Sequence, residues 1–586
     1  DLKILILRRF IYNLLFFFII IFFLIIFYCW ITLPDLQTIS KNSRNPSALV
    51  NANNGERIAV YGEMYSTFIE YDEISPNLIK AVIAMEDNRF YSHYGIDIRA
   101  ILRALYVNVT NLSYKQGGST ITQQLAKITF LNSEKSILRK IKELFITIKL
   151  EILLEKEEIL SLYLNRAYFG SGNYGVKSAS NSYFYKNPKD LNIYESAILV
   201  SALKAPTRLN MIASPISTKK RALLVLNKML NLDFISELEF NREFKNLNEF
   251  KIKKYLSVES RYFSDWVLRR TSKNYNNISD ITIKSTLDVN IQNITEKAVL
   301  KILKDRDDLE VAVIVMDTSG AIRAMLGGRS YSNSQFNRAT QALRQTGSVF
   351  KLFTYLTAID LGFDHLDQIE DSPLELNGWK PKNYNKKYKG SITLEESFAI
   401  SSNVAAVRIQ EIVGRESIIK WVKKLGVSSK LKPERSLSLG TQSISLIEMT
   451  NAFAAISSGG VVPFIYGVEE ITDRNNDLIY RRKNSERTPS INKSVIDNMQ
   501  ILLKSSMDKG TSVNAKLLYL DNKNILYGGK TGTTQDSKDA WFIGYLNNIV
   551  IGIWVGKDDN TKVENLSGGN QAAKLYREIT KYWLEL

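Results

Sequence analysis

The sequence predicts a multidomain chain: an N-terminal transmembrane helix, a mostly helical domain, and a C-terminal α+β domain with an antiparallel sheet. Three observations predict this order. Residues 10–33 are almost continuously apolar, residues 77–227 carry long amphipathic helical patterns, and apolar runs flanking turns occur at both ends of the stretch 285–586. At 586 residues the chain is also too long for a single hydrophobic core.

The N-terminal apolar run, FIYNLLFFFIIIFFLIIFYCWITL at 10–33, is long enough to cross a hydrocarbon layer of about 30 Å. Basic residues precede it, so the positive-inside rule places the N-terminus in the cytoplasm and the bulk of the chain on the outer side of the membrane. We expect that membrane to be the inner (cytoplasmic) membrane, with the bulk on its periplasmic or extracytoplasmic side. A cleaved signal peptide is the competing interpretation, but the apolar core is long and no Ala-x-Ala site follows. We therefore expect a cytoplasmic tip and single-pass anchor at 1–34 and a membrane-proximal connector at 35–76.

The net charge and the few cysteine and histidine residues limit which partners and which catalytic groups are expected. The net charge of +17 favours an anionic partner such as a membrane surface or a phosphorylated substrate. Nucleic acid is disfavoured, because the predicted orientation puts the basic bulk outside the cytoplasm. The single cysteine, Cys29, allows no internal disulfide and no thiolate metal cage. The two histidines, His93 and His365, are far apart, so any serine chemistry is expected to use lysine.

The helical stretch contains two carboxylates near a group of cations. Glu86 lies in EDNRFYSHYGID, and Glu143 ends RKIKE at 139–143, which also supplies Arg139 and Lys140. Glycosyl transfer from a phosphate-activated donor needs a carboxylate to deprotonate the attacking hydroxyl and cations to stabilise the departing pyrophosphate. The simpler interpretation is an ordinary i,i+4 surface ion pair between Arg139 and Glu143.

Five blocks in this stretch follow the order and approximate spacing of a known family: EDNRFYSHYGID, GGSTITQQLAK, RKIKE, KEEILSLYLNRAYFGSGNYGV and LNIYESAILVSALKAP. Together they resemble the glycosyltransferase domain of a class A penicillin-binding protein, a bifunctional peptidoglycan synthase. The resemblance implies a lysozyme-like, mostly helical fold over 77–227 that polymerises lipid II. Because the polyprenyl tail of that substrate stays in the bilayer, the cleft is expected at the membrane surface, where apolar Phe130 and Leu131 would fit.

The resemblance also implies roles for single residues. Glu86 would be the general base on the 4-hydroxyl of the acceptor sugar, Glu143 would serve the pyrophosphate side, and His93 would be structural. The remaining predicted residues of the cleft are Asp87, Ser119, Thr120, Gln123, Gln124, Lys127, Arg139 and Lys140. A divalent cation, Mg or Mn, that assists pyrophosphate departure is left open, since the sequence shows no cluster of metal ligands.

A linker with helical pieces is predicted at 228–284, and the α+β domain at 285–586. Within that domain, RQTGSVFKLF places Ser348 and Lys351 three residues apart at the start of a helical pattern, so both would lie on one helix face. Lysine acts as a base only when burial or a second cation lowers its pKa. Lys530, in GGKTGTTQDSKDAWFIGY, is the second cation that the sequence offers.

A third element, SSNVAAVRI, places Ser401 and Asn403 at the head of another helix. In this order the three elements resemble the active-site set of β-lactamases and penicillin-binding proteins, and the domain resembles the penicillin-binding transpeptidase module. The flanking blocks FNRATQALRQTGS and LSLGTQSISLIEMTNAFAAISSGG agree. No metal is implied in this site.

The implied reaction is acyl transfer on a D-Ala-D-Ala stem peptide. Ser348 would be the nucleophile and Lys351 its base, while Ser401 and Lys530 would relay a proton to the departing D-Ala. The predicted substrate-binding residues are Asn403, Thr531, Gly532 and Thr533. The implied partners are lipid II and nascent peptidoglycan, membrane lipid, β-lactams as covalent inhibitors, and proteins of a cell-wall synthesis complex.

Two positions depart from the family pattern. Thr346 stands before Gly-Ser and Leu352 after the lysine, where relatives usually carry proline, which would stiffen the approach to the nucleophile. Two alternatives stay open at this point. A β-lactamase shares the serine and lysine motifs but lacks the fused glycosyltransferase blocks, and a membrane-anchored β-lactam sensor or scaffold would have lost one or both activities.

Overall fold

The computed structural model describes residues 47–61, 68–111, 117–130, 137–170, 173–206, 208–211, 214–250, 257–275, 280–473, 475–483, 488–517 and 525–585, with five single positions between 13 and 27. The chain divides into two compact units. Unit 1 contains Val60–Lys253, and unit 2 contains Leu49–Ala59 and Lys254–Leu586. The stretch 228–284 that the sequence predicts as a linker is therefore shared between the two units.

Unit 1 is helical. Its helices are α1 (Pro76–Glu86), α2 (Ile98–Thr110), α3 (Ile121–Phe130), α4 (Ile137–Leu153), α5 (Lys156–Arg166), α6 (Val176–Phe184), α7 (Ile193–Leu203), α8 (Pro215–Asn231) and α9 (Glu237–Glu249). Local sequence sets several boundaries. Ser75 and Pro76 start α1, because the Ser75 side chain accepts from the Asn77 N–H and proline is favoured in the first turn. Helix α7 is buried almost throughout, and α1, α8 and α9 pack against it.

Unit 2 contains two five-stranded sheets. The strands are β1 (Ala48–Asn51), β2 (Arg57–Tyr61), β3 (Ile281–Ser285), β4 (Glu310–Asp317), β5 (Ile322–Leu326), β6 (Arg344–Gln345), β7 (Gln368–Asp371), β8 (Gly390–Thr393), β9 (Ser443–Ile444), β10 (Val468–Thr472), β11 (Leu478–Arg481), β12 (Tyr527–Thr533), β13 (Asp539–Leu546) and β14 (Ile549–Gly556). The main sheet has the order β12-β13-β14-β4-β5, and every neighbouring pair is antiparallel. Both predicted hairpins, β4–β5 and β13–β14, are confirmed.

The helices of unit 2 are α10 (Arg261–Tyr275), α11 (Val289–Ile302), α12 (Lys351–Asp360), α13 (Leu394–Ala399), α14 (Asn403–Val413), α15 (Arg415–Lys424), α16 (Leu446–Ser457), α17 (Lys493–Lys509) and α18 (Ala573–Leu584). Strands β13 and β14 are buried at every position, as expected for strands covered on both faces. Helices α11 and α18 share a core with one face of the sheet, and α16 packs on β14 and β4. A Cβ at Gly552 would lie 1.9 Å from Thr450 Oγ1, so glycine is required where α16 approaches β14.

The second sheet has the order β11-β10-β3-β1-β2. Its strands β1 and β2 come from the stretch 35–76, which the sequence predicts as a membrane-proximal connector. The Asn53 side chain donates to Asp288 Oδ2 at 3.2 Å, and the Asn53 N–H donates to the Leu287 carbonyl at 2.9 Å. These contacts hold the turn between β1 and β2 against later residues of unit 2, although the helical stretch of unit 1 lies between them in the sequence.

The predicted anchor at 10–33 lies almost entirely outside the described residues, as does Leu131. Among the helices that the structure does describe, none combines the length and the apolar character needed to cross a bilayer. The anchor therefore remains a prediction from the sequence.

Candidate active sites

In unit 2, Ser348 lies in a 3-10 turn, Gly347–Phe350, that leads directly into α12. Gly347 has φ of +54°, and a Cβ there would lie 2.7 Å from Thr533 O and 3.1 Å from Thr533 N. Likewise, a Cβ at Gly532 would lie 2.4 Å from Thr346 O. Glycine at both positions therefore allows the serine turn to lie directly against the end of β12.

Lys351 is fully buried at the start of α12 and points at the loop before α14. Its Nζ lies 2.7 Å from Ser401 O, 3.2 Å from Ser401 Oγ and 2.8 Å from Asn403 Oδ1. Burial lowers the pKa of Lys351 well below its usual value, and the charge of Lys530 lowers it further, whereas the carboxylate of Asp371 opposes both. A lysine can act as a base when burial and a second cation lower its pKa. Lys351 meets both conditions, because it is buried and Lys530 lies nearby.

Lys530 approaches the same loop from β12. Its Nζ lies 2.9 Å from Ser401 Oγ and 5.5 Å from the centre of the Phe398 ring. Burial lowers the pKa of Lys530 to about 7. Ser401 Oγ is therefore placed between two buried amines, and Ser401 itself has φ of +59°, a left-handed conformation that is strained for serine.

The other predicted residues of this site lie along the end of β12. Thr531 shares a hydrogen bond between hydroxyl groups with Thr511 at 2.6 Å. Thr533 Oγ1 accepts from the N–H of Gly568 at 3.1 Å. In the described part of the chain β12 is an edge strand of the main sheet, so its outer side can pair with an extended peptide.

The histidines take no part in this arrangement. The Nδ1 atom of His365 lies 2.7 Å from Asn498 Oδ1 and 3.1 Å from Asp364 Oδ1, away from the residues predicted for catalysis. Two buried lysines thus contact one serine hydroxyl, an arrangement expected of a serine enzyme of the Ser-Lys type and not of one with a Ser-His-Asp triad.

Sequence reasoning missed four residues that hold this site. They are Asp371 and Asn383, which contact the loop at Ser401–Asn403, and Thr511 and Gly568, which contact β12. None belongs to a motif with an obvious reactive side chain, and they come from three separate segments. A pattern of nearby residues could not have found them, because only the fold brings these segments to the site.

In unit 1, Glu86 is the last residue of α1. Its Oε2 accepts from Gln124 Nε2 at 3.0 Å, and Gln124 Oε1 accepts from the hydroxyl of Tyr163 at 3.0 Å. Burial raises the pKa of the Tyr163 hydroxyl well above its usual value, and the charge of Glu86 adds to the effect, so Tyr163 stays a donor. These two hydrogen bonds fix the orientation of the Gln124 amide toward the Glu86 carboxylate.

Asp87 and the residues around Thr120 form a buried framework beside Glu86. Asp87 accepts from the Ile121 N–H at 3.0 Å and contacts His93 Nε2 at 3.0 Å. Thr120 and Gln123 bond reciprocally, since the Thr120 N–H donates to Gln123 Oε1 and the Gln123 N–H donates to Thr120 Oγ1. These contacts cap the start of α3, and His93 is buried within this framework.

Glu143 is 2% exposed in α4 and pairs with two cations. Arg139 Nη1 lies 2.9 Å from Glu143 Oε2, and Lys140 Nζ donates to Glu143 Oε1. Ser119 and Lys127 are exposed. The structure thus joins Glu143 to Arg139 and Lys140, and Glu86 to Gln124, as two separate groups of contacts.

The structure adds two cations near Glu86 that sequence reasoning did not identify. Arg221 and Lys228, on α8, both interact electrostatically with the Glu86 carboxylate, and Lys228 Nζ donates to the Met85 carbonyl at 3.3 Å. Burial lowers the pKa of each side chain, and Glu86 opposes that effect. More than 130 residues separate these cations from Glu86 in the sequence, so no local spacing links them.

Among the described residues, no group of three or more His, Cys, Asp or Glu side chains is placed to hold a metal ion. The divalent cation that the family resemblance leaves open therefore has no protein cage in this part of the chain.

Comparisons with known proteins match both parts of the chain. A family model described as "Transglycosylase" matches residues 54–230, and one described as "Penicillin binding protein transpeptidase domain" matches residues 311–581. Penicillin-binding protein 1A of Aquifex aeolicus is 32% identical, covering 93% of this chain and 88% of that protein. Penicillin-binding protein 2D of Bacillus subtilis is 30% identical, covering 91% of this chain and 80% of that protein.

Two solved structures share the fold. The crystal structure of penicillin-binding protein 1A from Haemophilus influenzae has a TM-score of 0.58 at 20% identity and covers 93% of each chain. The PonA1 protein from Mycobacterium tuberculosis in complex with penicillin V has a TM-score of 0.51 at 23% identity, covering 56% of this chain and 93% of that one. The chain belongs to the class A penicillin-binding proteins. It is a bifunctional peptidoglycan glycosyltransferase and D-Ala-D-Ala transpeptidase.

Proposed function

We propose that Ser348 is the transpeptidase nucleophile and Lys351 its base. The observation that carries this proposal is Ser401 Oγ, which lies between two buried lysines in the unit that holds the Ser348 turn. Ser348 Oγ attacks the carbonyl carbon of the penultimate D-Ala, and its proton passes to Lys351. Buried amines with lowered pKa values are suited to accept that proton near neutral pH.

The tetrahedral intermediate then breaks its C–N bond. Ser401 and Lys530 relay a proton to the departing D-Ala amine, and an ester links Ser348 to the shortened peptide. The N–H groups of Ser348 and Thr533 are proposed as the oxyanion hole, which the close approach of Gly347 to the Thr533 backbone supports. An amine of a second stem peptide attacks the ester carbonyl, the C–O bond breaks, and Ser348 recovers its proton.

Substrate binding is proposed along the end of β12. Thr531 and Thr533 would hold the terminal carboxylate, Gly532 would allow close approach, and Asn403 would bind the substrate amide. The Thr533 hydroxyl oxygen accepts from Gly568, so its own hydrogen is free to point at the carboxylate. A β-lactam would acylate Ser348 by the same attack.

In unit 1, Glu86 is proposed as the general base. It takes the proton of the acceptor 4-hydroxyl while the bond from the donor sugar to pyrophosphate breaks. Lys127, Arg139 and Lys140 would stabilise the departing pyrophosphate, with Glu143 holding Arg139 and Lys140 in place. Asp87, Ser119, Thr120, Gln123 and Gln124 would shape the cleft around the reacting sugars.

Lipid II is the proposed substrate, and the inner membrane surface the proposed location of unit 1. Helix α2 supports this, because one side of it exposes large apolar side chains to an extent that is unusual for a helix in water. The exposed fractions include 67% for Ile98, 60% for Leu105 and 63% for Val109. The apolar run at 10–33 and the net charge of +17 fit the same location. Proteins of a cell-wall synthesis complex are proposed as further partners.

The purified full-length protein incubated with lipid II tests these assignments. Wild type is expected to make cross-linked glycan, Glu86→Gln no glycan, and Ser348→Ala glycan without cross-links. Fluorescent penicillin should label wild type and Glu86→Gln but not Ser348→Ala. Covalent labelling of Ser348→Ala would refute the assigned nucleophile, and polymer from Glu86→Gln would refute the assigned base.

A further inference from the structure

We propose that Asp371 is a positioning residue of the transpeptidase reaction, which holds the Ser401–Asn403 loop in place and supplies a buried negative charge to balance Lys351 and Lys530. No motif contains it, and it is not one of the groups proposed to touch the substrate. The inference rests on the proposed role of Lys351 as the base.

Asp371 is the last residue of β7 and is 1% exposed. Its Oδ1 accepts from Ser402 Oγ at 2.7 Å and from Asn383 Nδ2 at 2.7 Å, and its Oδ2 accepts from the Lys389 N–H at 3.0 Å. All three donors are neutral. The carboxylate therefore receives hydrogen bonds from three uncharged donors, and none of these contacts is an ion pair.

These bonds connect Asp371 to the catalytic loop by a short route. Asn383, which Asp371 holds, accepts through Oδ1 from the Asn403 N–H at 2.9 Å and the Val404 N–H at 3.2 Å. Asn403 in turn presents Oδ1 to Lys351 Nζ at 2.8 Å. Asp371 and Asn383 thus hold the first turn of α14 in position. The same contacts hold Ser401, which lies just before that helix and has a strained backbone.

The charge of Asp371 acts on the same lysine. Burial and Lys530 both lower the pKa of Lys351, and Asp371 is the group that opposes them. An amine whose pKa falls too far is neutral but a weak base, so a fixed anion keeps Lys351 strong enough to accept the Ser348 proton near neutral pH. If Lys351 and Lys530 were both protonated, the two lysines and the Asp371 carboxylate would together carry a charge of +1. If only one lysine were protonated, the three groups together would be neutral.

Other charged groups on the neighbouring elements have partners of their own. Lys389 Nζ lies 2.7 Å from Glu396 Oε1, and both side chains are well exposed. Arg408, on α14, donates to Ser372 Oγ at 3.0 Å. Tyr355, which also faces Asp371, shares a hydrogen bond with Ser397 at 2.9 Å and has its pKa raised by burial.

The test is the pH dependence of acylation by fluorescent penicillin, measured on the full-length protein. Asp371→Asn should move the acidic limb of the rate profile to lower pH by about one unit and reduce the plateau, since Lys351 loses its counter-charge. The matched control is Ser402→Ala, which removes the neutral hydrogen bonds of the Ser402 hydroxyl to Asp371, to Asn383 and from the Ala405 N–H but keeps the carboxylate. It should slow acylation equally at every pH and leave the limb in place.

The double variant Asp371→Asn/Asn383→Asp moves the carboxylate to the neighbouring partner and should return the limb toward the wild-type pH. It also decides the case if Asp371→Asn fails to fold. An unmoved limb in Asp371→Asn, a shift of equal size in Ser402→Ala, or no return in the double variant would overturn the proposal. Lys351→Met separates the two proposals: if it acylated with the wild-type limb, the assignment of Lys351 as base would fail instead.

Discussion

The Oγ atom of Ser401 lies 2.9 Å from Lys530 Nζ, although 128 residues separate the two in the chain. The same oxygen is 3.2 Å from Lys351 Nζ, so one hydroxyl links two buried amines. A hydroxyl in this position can accept from one amine and donate to the other. This position fits the proposed route for a proton between Lys351, the proposed base, and the leaving group.

Removing that hydroxyl should slow acylation. In both Ser401→Ala and Ser401→Gly the proton route is lost, and the rate of penicillin acylation is expected to fall by about 10²–10⁴-fold. The two variants should differ in stability, because glycine relieves the left-handed backbone of residue 401 at φ of +59° and alanine does not. Stopped-flow acylation and thermal unfolding measure the two effects. A wild-type rate in either variant would contradict the relay.

Lys530 should make the stability of unit 2 depend on pH. Its pKa is about 7 in the folded protein and near its usual value of 10.5 when unfolded, so between these values the unfolded state binds more protons. Stability therefore rises with pH across this window, by up to about 1.4 kcal/mol per pH unit for one group. Below about pH 7 the folded state carries the full cost of a buried charge.

Lys530→Met removes the contribution of Lys530 to this pH dependence. The variant is expected to be more stable than wild type at pH 6 to 7, and the difference should shrink as pH approaches 10. Tryptophan fluorescence is a selective readout, since six of the seven tryptophans lie in unit 2 and the other is Trp30. A stability difference that stayed constant with pH would show that the pKa of Lys530 is not lowered by folding.

Thr346→Pro should stabilise the serine turn. Thr346 is fully buried, its hydroxyl has no hydrogen-bond partner in the described structure, and its φ of −83° is close to the value that proline imposes. We expect about 0.4–1 kcal/mol of added stability, chiefly from reduced freedom of the unfolded chain. Thermal unfolding and penicillin acylation rates would both be measured. A lower melting temperature would mean that the Thr346 N–H has a partner that proline removes.

Tyr163→Phe should weaken glycan polymerisation without affecting the other active site. The tyrosine hydroxyl fixes the Gln124 amide that donates to Glu86, and without it the amide can rotate away from the carboxylate. The loss of one neutral hydrogen bond, about 1 kcal/mol, corresponds to roughly a fivefold lower rate. Lipid II polymerisation measures the effect, and penicillin labelling is the control that should be unchanged. A rate as low as that of Glu86→Gln would mean instead that Tyr163 acts directly in the reaction.

Much of the architecture could be predicted from the sequence because its signals are local. The apolar runs and turns of VAVIVMD-TSG-AIRAMLGG and of DAWFIGY-LNN-IVIGIWVG specify the two hairpins that form β4–β5 and β13–β14. The sequence did not predict that the turn between β1 and β2 packs beside residues near 287, more than 200 positions later in the sequence. Its contacts with Leu287 and Asp288 join residues that the whole helical unit separates in sequence, and strand patterns carry no information on such partners.

The sequence by itself determined which reactive groups the protein has: a serine followed by a lysine, a second lysine in a glycine-rich strand, and carboxylates among cations, with no histidine or cysteine set to compete. Those properties depend on residue type and short spacing. Only the tertiary structure decided which groups meet and how they titrate. Ser401 lies between Lys351 and Lys530, Asp371 lies behind the loop, and Arg221 and Lys228 lie near Glu86. The physical reason is that burial and charge act through space, between side chains that long stretches of chain keep apart in sequence.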